Sequence, residues 1–358
     1  MAKLLRISVI GVGDVAYRDY FPHMKRLAAV GHIDLLIARN PERLANAAAD
    51  FHVPRVASDW RAALEPGIDV ALNLTPAPAH GEINLGLARA GRHFYTEKPF
   101  ANSVEQGVAI FRAAKETGAV IAAAPSVMVY PQILAAASLL DRGVIGKVHS
   151  VRATATTPPP PWGGYHSDHG PFFSADVGPM SDMGVYPLHA ISGLLGEAVE
   201  VAAFSSRTRD AFLVTEGPFA AQSVPVDVDD NWQLLLRLSG GILASLQIAY
   251  CIDRPASCHL EISCETGTIT LGILDPTVPL QVHSNSHGDW EEPVAHARND
   301  GPDHVLGVAD LLDSIQTGRD PVIGARHALH VMAIRAAAET AAATGRSVPV
   351  QDITRLGV

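Results

Sequence analysis

The sequence has few cysteines, few aromatic residues and fewer basic than acidic side chains. Cys251, Cys258 and Cys264 are too few and too widely spaced for a Cys-x-x-Cys metal site, and their odd number indicates reduced thiols. The 27 basic and 37 acidic residues give a net charge of −10, which opposes attraction to nucleic acid or to an anionic membrane. We therefore expect neither partner.

The sequence also has no secretory leader that we can identify, because residues 1–6 run into a short strand without a long apolar segment. We expect a cytoplasmic protein. Residues 117–140 carry no charge and are long enough for a membrane span of about 20 residues. Pro125 and Pro131 interrupt this stretch, so we predict instead a strand over 119–124, a loop to Tyr130 and a helix from Pro131 to Gly143.

The first third of the chain alternates short apolar runs with amphipathic helical segments. Such alternation predicts a parallel, doubly wound α/β sheet, and we assign residues 1–125 to a Rossmann dinucleotide-binding domain. The strand-like runs are Ile7–Ile10, Ile33–Ile37, Val70–Leu74, His93–Tyr95 and Ala119–Ala124.

The rest of the chain, 126–358, is predicted to form an α+β domain with a large, mainly antiparallel open sheet. Its clearest signal is a hairpin of two long strands, 231–238 and 242–250, joined by Ser239-Gly240-Gly241. One face of this hairpin mixes Leu235 and Leu243 with polar residues, so it is either solvated or an interface. We favour a homodimer or homotetramer through this sheet. We also predict two C-terminal helices, 305–315 and 327–343. They belong to this second domain in sequence, and the alternative is that they pack on the first domain.

A nucleotide-binding turn follows the first strand. Gly11, Gly13 and Ala16 fit the pattern G-x-G-x-x-A, in which small residues let backbone N–H groups approach a pyrophosphate at a helix N-terminus. We predict that a dinucleotide binds here, and the turn comprises Gly11, Val12, Gly13, Asp14, Val15 and Ala16.

The residues after the second strand suggest which dinucleotide binds. An NAD enzyme usually places an acidic residue there, whereas this chain has Ala38 and Arg39. A guanidinium can pair with a 2′-phosphate, so the sequence favours NADP over NAD. The alternative is that Arg39 is an exposed arginine with no ligand.

Two further segments carry possible chemistry. Lys98, in Glu97-Lys98-Pro99 after the strand His93–Tyr95, is a candidate reactive cation beside the cofactor. The proline-rich stretch 156–164 contains Trp162 and is followed by further aromatic residues. It is either a surface loop with aromatic anchors or an arm on which a sugar ring stacks.

Taken together, these motifs resemble the glucose-fructose oxidoreductase, inositol dehydrogenase and rhizopine-catabolism (Gfo/Idh/MocA) family. The segments that carry the resemblance are Glu97-Lys98-Pro99, Asn73-Leu74-Thr75-Pro76, and Asp182-Met183-Gly184-Val185-Tyr186-Pro187-Leu188-His189. Many members have His where this chain has Tyr186, which places it closer to the branch of glucose-fructose oxidoreductase and dihydrodiol dehydrogenase.

The resemblance implies roles for individual residues. Asn73, Thr75, Pro76 and His80 would lie along the cofactor, and Glu97 would contact the nicotinamide ribose. Lys98, Asp182 and Tyr186 would be catalytic and would contact the substrate, with Asp182 orienting the site. Trp162 and His189 would be further substrate contacts. Because a nearby ammonium favours an ionised phenol, Lys98 could activate Tyr186 as a base.

Departures from the family limit the substrate prediction. Residues 125–129 lack the arginines that many sugar-using relatives carry there, so no relative's sugar preference is transferred. His166, Asp168 and His169 lie in a Pro/Gly-rich loop with no convincing further ligand, and we expect no metal.

The leading hypothesis is an NAD(P)-dependent oxidoreductase acting on a secondary alcohol or ketone of a sugar, polyol or glycoside-like compound. Two alternatives are a glycoside hydrolase that uses transient oxidation by NAD and a non-catalytic dinucleotide-binding regulator.

Overall fold

The computed structural model describes residues 3–160, 165–175, 177–215, 217–252, 257–274, 278–286, 288–293 and 303–358. Contacts between residues divide the chain into two units. The first unit contains residues 1–126, 303–329 and 353–358, and the second contains 127–302 and 330–352. Residues 303–329 are therefore counted with the N-terminal part of the chain.

The first unit is built on a parallel sheet of six described strands. They are β1 (Leu5–Ile10), β2 (Gly31–Ile37), β3 (Arg55–Ala57), β4 (Val70–Asn73), β5 (His93–Thr96) and β6 (Ile121–Ala123). The spatial order is β3-β2-β1-β4-β5-β6, and every neighbouring pair is parallel. The order reverses between β1 and β4, which is where doubly wound sheets bind ligands at the carboxyl ends of their strands.

The helices of this unit begin and end at residues that suit those positions. They are α1 (Pro41–Asp50), α2 (His80–Arg89), α3 (Val104–Thr117) and, from the C-terminal part of the chain, α7 (Val305–Thr317). The side chain of Asn40 caps α1 by accepting from the N–H of Arg43, and Ser103 caps α3 in the same way. The helix α3 ends at Gly118, whose φ of +77° suits a glycine.

The second unit contains the larger sheet. Its described strands are β7 (Val148–Thr156), β8 (Ala198–Ser206), β11 (Asn231–Leu238), β12 (Leu243–Ala249), β13 (Ser257–Cys264), β14 (Gly267–Gly272), β15 (Gln281–Ser284), β16 (Trp290–Glu291) and β17 (Val348–Pro349). Their order is β16-β15-β14-β13-β7-β12-β11-β8-β17, and β7 with β12 is the one parallel pair among them. A separate two-stranded sheet pairs β9 (Ala211–Leu213) with β10 (Ser223–Pro225).

The second unit contains three further helices. They are α4 (Pro131–Asp141), α5 (Gly178–Asp182) and α6 (Val185–Leu195), and α8 (Ala325–Thr344) begins in the first unit and ends in the second. None of the helices in the described ranges is both long enough and apolar enough to cross a membrane.

The predicted fold class is confirmed: an α/β Rossmann sheet is followed by a mainly antiparallel sheet. The predicted hairpin is confirmed as β11 and β12, in antiparallel register. Within it Leu246 and Ile248 are buried, whereas Leu235 and Leu243 are more than half exposed. The strand predicted over 119–124 is shorter, covering only Ile121–Ala123.

Candidate functional site

The turn after β1 requires glycine at its first position. Gly11 has a φ of +102°, and a Cβ there would lie 2.5 Å from the carbonyl oxygen of Leu74. Its N–H donates to the carbonyl of Ile37 at 2.8 Å, which fixes the turn between β2 and β4. At Gly13, by contrast, a Cβ would meet nothing within 4 Å. The turn thus keeps the backbone of Gly13 open, as the approach of a pyrophosphate requires.

The helix after this turn is irregular, which differs from the regular helix N-terminus that the motif predicts. Residues Ala16–Tyr20 form a π-helical turn, and Phe21–Leu27 continue as a 3₁₀ helix. Pro22 lies at the second position of the 3₁₀ segment, where its ring removes a backbone donor and opposes α-helical hydrogen bonding. This geometry turns the side chain of Tyr20 into the core, where it is fully buried.

Ala38 and Arg39 follow the carboxyl end of β2, beside the turn of Gly11. Arg39 is exposed and has no hydrogen-bond or ion-pair partner among the residues that the structure describes. The side chain of the neighbouring Asn40 caps α1 by accepting from the N–H of Arg43. The guanidinium of Arg39 is therefore the cation available at the end of this strand.

Asn73, predicted to lie along the cofactor, makes its side-chain hydrogen bonds inside the protein. Its side chain is completely buried, and its Nδ2 donates to Oδ1 of Asn84 at 2.8 Å. Its Oδ1 accepts from the hydroxyl of Thr75 at 2.7 Å. Because these contacts occupy the amide, Asn73 shapes the turn that presents half-buried Thr75 and exposed Pro76. The place of Asn73 along the cofactor stays a prediction.

The ring of His80 does not face solvent either. The residue is 1% exposed, and its Nε2 and Nδ1 lie 2.6 and 2.7 Å from the carbonyl oxygens of Thr75 and Pro99. The ring links the turn after β4 to the turn after β5. The place of His80 along the cofactor stays a prediction.

Glu97 holds the backbone of the Lys98 turn. Its Oε2 accepts from the N–H of Lys98 at 3.0 Å, and its Oε1 accepts from the hydroxyl of Tyr20 at 2.6 Å. The ring of His304, from the C-terminal part of the first unit, lies 3.4 Å from Oε1. Glu97 is 6% exposed, and these internal partners surround its carboxylate. Its contact with the nicotinamide ribose stays a prediction.

The charge of this buried carboxylate is compensated from several sides. Burial alone would raise the pKa of Glu97, but His304, Lys98 and the Tyr20 hydroxyl outweigh it and hold the pKa at about 2. Burial and the same carboxylate raise the pKa of Tyr20 well above its ordinary value. Tyr20 therefore stays a proton donor, and half-buried Lys98 extends from a turn whose backbone is fixed.

In the second unit, Asp182 ends α5 and Tyr186 lies in the first turn of α6, and both residues are buried. The hydroxyl of Tyr250, at the end of β12, donates to Oδ2 of Asp182 at 2.6 Å. Burial and the Asp182 carboxylate raise the pKa of Tyr250, and Tyr186 contributes to that rise. The structure thus brings the two predicted residues of this unit together around a tyrosine that the motifs did not indicate.

His189 lies one helical turn beyond Tyr186 and is buried. Its Nδ1 donates to the carbonyl of Val185 at 2.8 Å. Burial lowers the pKa of His189 to about 4. A contact of His189 with substrate remains a prediction. The contact that the structure shows is the hydrogen bond to Val185 within α6.

The aromatic residues near 165–173 pack on their own unit. Phe173 is buried against the rings of Phe212 and Tyr250, and Tyr165 packs edge-on against Phe172. Trp162 lies outside the described residues. Within the described ranges, no three His, Cys, Asp or Glu side chains are grouped so that they could hold a metal ion.

Two family models match the chain. Residues 5–124 match the NAD-binding Rossmann fold of the oxidoreductase family, and residues 133–270 match the GFO/IDH/MocA C-terminal domain. Together the matches cover well over half of the chain. The protein belongs to the GFO/IDH/MocA oxidoreductase family, as its motifs predicted.

Curated relatives in this family act on sugars and cyclitols. The chain is 31% identical to dTDP-3,4-didehydro-2,6-dideoxy-alpha-D-glucose 3-reductase of Actinomadura kijaniata, over 60% of this chain and 64% of the relative. It is 30% identical to levoglucosan dehydrogenase of Pseudarthrobacter phenanthrenivorans, over 58% and 56%. The chain thus spans less than two thirds of the length of these relatives.

Solved structures share the fold along nearly the whole chain. Levoglucosan dehydrogenase in complex with NADH superposes with a TM-score of 0.84 at 23% identity, covering 98% of this chain and 100% of that one. An aldose-aldose oxidoreductase from Caulobacter crescentus complexed with glycerol gives 0.80 at 22% identity, covering 97% and 100%. At such identities the likeness concerns the fold.

Proposed function

We propose that the protein is an NAD(P)-dependent oxidoreductase that transfers a hydride between nicotinamide and a secondary alcohol or ketone of a sugar, polyol or glycoside-like substrate. The observation that carries the proposal is the set of turns after β1, β4 and β5. There an open glycine backbone lies at the same sheet edge as a lysine whose backbone is fixed by a buried carboxylate. The names of the family's sugar and inositol enzymes support the substrate class.

The residues present fit a dinucleotide, because Gly13 leaves its backbone open at the carboxyl edge of the sheet. Gly11 to Ala16 would hold the pyrophosphate, and Thr75 and Pro76 would line the nicotinamide half. When bound, the nicotinamide supplies the hydride acceptor or donor.

The protein's own side chains would handle the proton and the substrate oxygen. In the direction of oxidation, Tyr186 as its phenolate would accept the proton of the substrate hydroxyl, and the hydride of the carbinol carbon would pass to the bound nicotinamide. The ammonium of Lys98 stabilises the negative charge that develops on that oxygen. Asp182, held by Tyr250, orients the substrate. In the direction of reduction, Tyr186 returns the proton to the alkoxide.

A substitution at Lys98 tests these roles. In Lys98→Met, turnover falls on the order of a hundredfold or more, because the charge at the substrate oxygen is lost, while NADPH or NADH still binds. Turnover is followed by the absorbance of reduced nicotinamide with a panel of inositols, anhydro sugars and aldoses. Lys115→Met is the matched control, since Lys115 is exposed on α3. Full activity of Lys98→Met would contradict the assignment.

We propose further that the protein prefers NADP, with Arg39 pairing with the 2′-phosphate. The exposed guanidinium at the end of β2 and the missing acidic residue support this preference. Arg39→Asp is expected to weaken NADPH binding about tenfold or more and to leave NADH binding equal or stronger. Arg43→Asp, on the exposed side of α1, makes the same change in charge. Unchanged relative affinity in Arg39→Asp would show that the 2′-phosphate is recognised elsewhere.

We also propose that the exposed face of the larger sheet joins two or more copies of the chain. Phe204, Leu235 and Leu243 are 76%, 63% and 53% exposed on the neighbouring strands β8, β11 and β12. Large apolar side chains exposed on one sheet are a feature of surfaces that join copies of a chain. Light scattering after gel filtration should find a dimer or tetramer, and Leu235→Asp should dissociate it. Val144→Asp, at an exposed position outside this sheet, should leave the oligomer intact.

A further inference from the structure

The ring of His80 lies between two groups that can only accept hydrogen bonds. Its Nε2 is 2.6 Å from the carbonyl oxygen of Thr75, and its Nδ1 is 2.7 Å from the carbonyl oxygen of Pro99. The residue is almost completely buried at the first position of α2. Neither distance leaves room for a bridging water, so each contact is made directly by the ring.

A neutral imidazole cannot satisfy both contacts. It has one N–H donor and one bare nitrogen, and the bare nitrogen would place its lone pair against a carbonyl lone pair at hydrogen-bonding distance. Only the imidazolium donates from both nitrogens. Burial lowers the pKa of His80 below its ordinary value, and the two carbonyls and the Glu97 carboxylate oppose that shift without cancelling it. The two short ring contacts act against burial, because only the imidazolium can make both of them. The charged residues that act on the ring are Glu97 and Lys98.

The two carbonyl groups belong to the two turns on which the proposed chemistry depends. Thr75 follows β4 in the turn shaped by Asn73, and Pro99 directly follows Lys98. A donor to both oxygens fixes the distance between these turns. Loss of either hydrogen bond would release one turn from the other.

We propose that His80 carries a proton on both ring nitrogens at neutral pH and acts as a positioning residue that ties the Thr75 turn to the Lys98-Pro99 turn. The protonation follows from the ring's contacts alone. The consequence for the cofactor rests on the proposed function, because it assumes that the Thr75 turn lines the dinucleotide.

The protonation is tested by the ring-nitrogen NMR spectrum of the full chain with isotope-labelled histidine. The signals of His80 are assigned by their loss in His80→Gln, or in His80→Asn if the glutamine variant does not fold. His93 serves as an internal reference, because its Nδ1 accepts from the N–H of Val120 at 2.9 Å and must therefore be bare. At neutral pH we expect two protonated nitrogens for His80 and one for His93. One bare nitrogen in His80 would overturn the proposal.

The positioning role is tested by titrating the same proteins with NADPH. His80→Gln keeps an amide donor for one carbonyl but cannot donate to both, and we expect about tenfold weaker NADPH binding. His93→Gln, which changes a histidine at the start of β5, should bind NADPH as the wild type does. Equal affinity in His80→Gln and wild type would overturn the positioning role. A wild-type protein that binds neither NADPH nor NADH would refute the proposed function, and the NMR spectrum would still decide the protonation.

Discussion

The hydrogen bond from Tyr20 to Glu97 offers a quantitative test of the buried cluster beneath Lys98. Tyr20→Phe removes a hydroxyl that donates at 2.6 Å to a carboxylate that is 6% exposed. Hydrogen bonds to charged groups contribute about 1.5–3 kcal/mol, and the carboxylate cannot recruit water in compensation. We expect the free energy of unfolding to fall by about 2 kcal/mol. With a urea dependence of about 2 kcal/mol per molar, the midpoint of unfolding falls by about 1 M.

The neighbouring Tyr17 provides a matched control for this measurement. Its hydroxyl also donates to a carboxylate, that of Asp50, but at 3.4 Å and near the surface. Tyr17→Phe should therefore change the free energy of unfolding by about 0.5 kcal/mol or less. Urea unfolding of both variants is followed by circular dichroism. Similar midpoints for Tyr20→Phe and wild type would refute the reasoning, because Glu97 would then not depend on its partners to remain charged.

Three further predictions concern the same sheet edge. The pKa of Glu97 is about 2 against an ordinary value of 4.5, so its contribution to stability, about 3 kcal/mol, is complete above pH 4.5 and is lost as the pH falls through 2. Urea midpoints across this range should fall in wild type more steeply than in Glu97→Gln, and parallel curves would contradict the assignment. Gly11→Ala should prevent or severely weaken folding, because its Cβ would clash with Leu74. Gly13→Ala should fold normally yet bind NADPH weakly, as thermal melting and fluorescence titration can show, and normal NADPH binding would exclude the pyrophosphate from this turn.

Local patterns were sufficient to predict the framework of the fold. Strands such as β1 and β4 are short apolar runs that are mostly buried on both faces, and their composition alone marks them. The short β3 is partly exposed and was not among the predicted strands. The hairpin of β11 and β12 follows from strict alternation around a glycine turn. The irregular helix after Gly13 was not predicted, because the glycine motif is typical of a regular helix. Pro22 removes a backbone donor from that helix.

The side chains that support the site were harder to predict, because their partners are distant in sequence. Tyr20 meets Glu97 across 77 positions, and Tyr250 meets Asp182 across 68. His304 approaches Glu97 from a helix near the other end of the chain. Asn84 is the exception with a local signal. It lies four residues after His80, and two polar residues at this spacing on a buried helix face indicate a hydrogen-bonded network.

The division of the chain has a consequence for exchanging parts between relatives. The segment 1–126 contains all six described strands of the Rossmann sheet, yet Arg26 and Glu97 meet Asp303 and His304, which follow strands β7 to β16 in the sequence. A chimaera with a single crossover at residue 126 would take Glu97 from one parent and the residue at position 304 from the other. Recombination that preserves the native pairs therefore requires further crossovers near residues 303, 329 and 353. The unit that carries the proposed dinucleotide site is therefore discontinuous in the sequence.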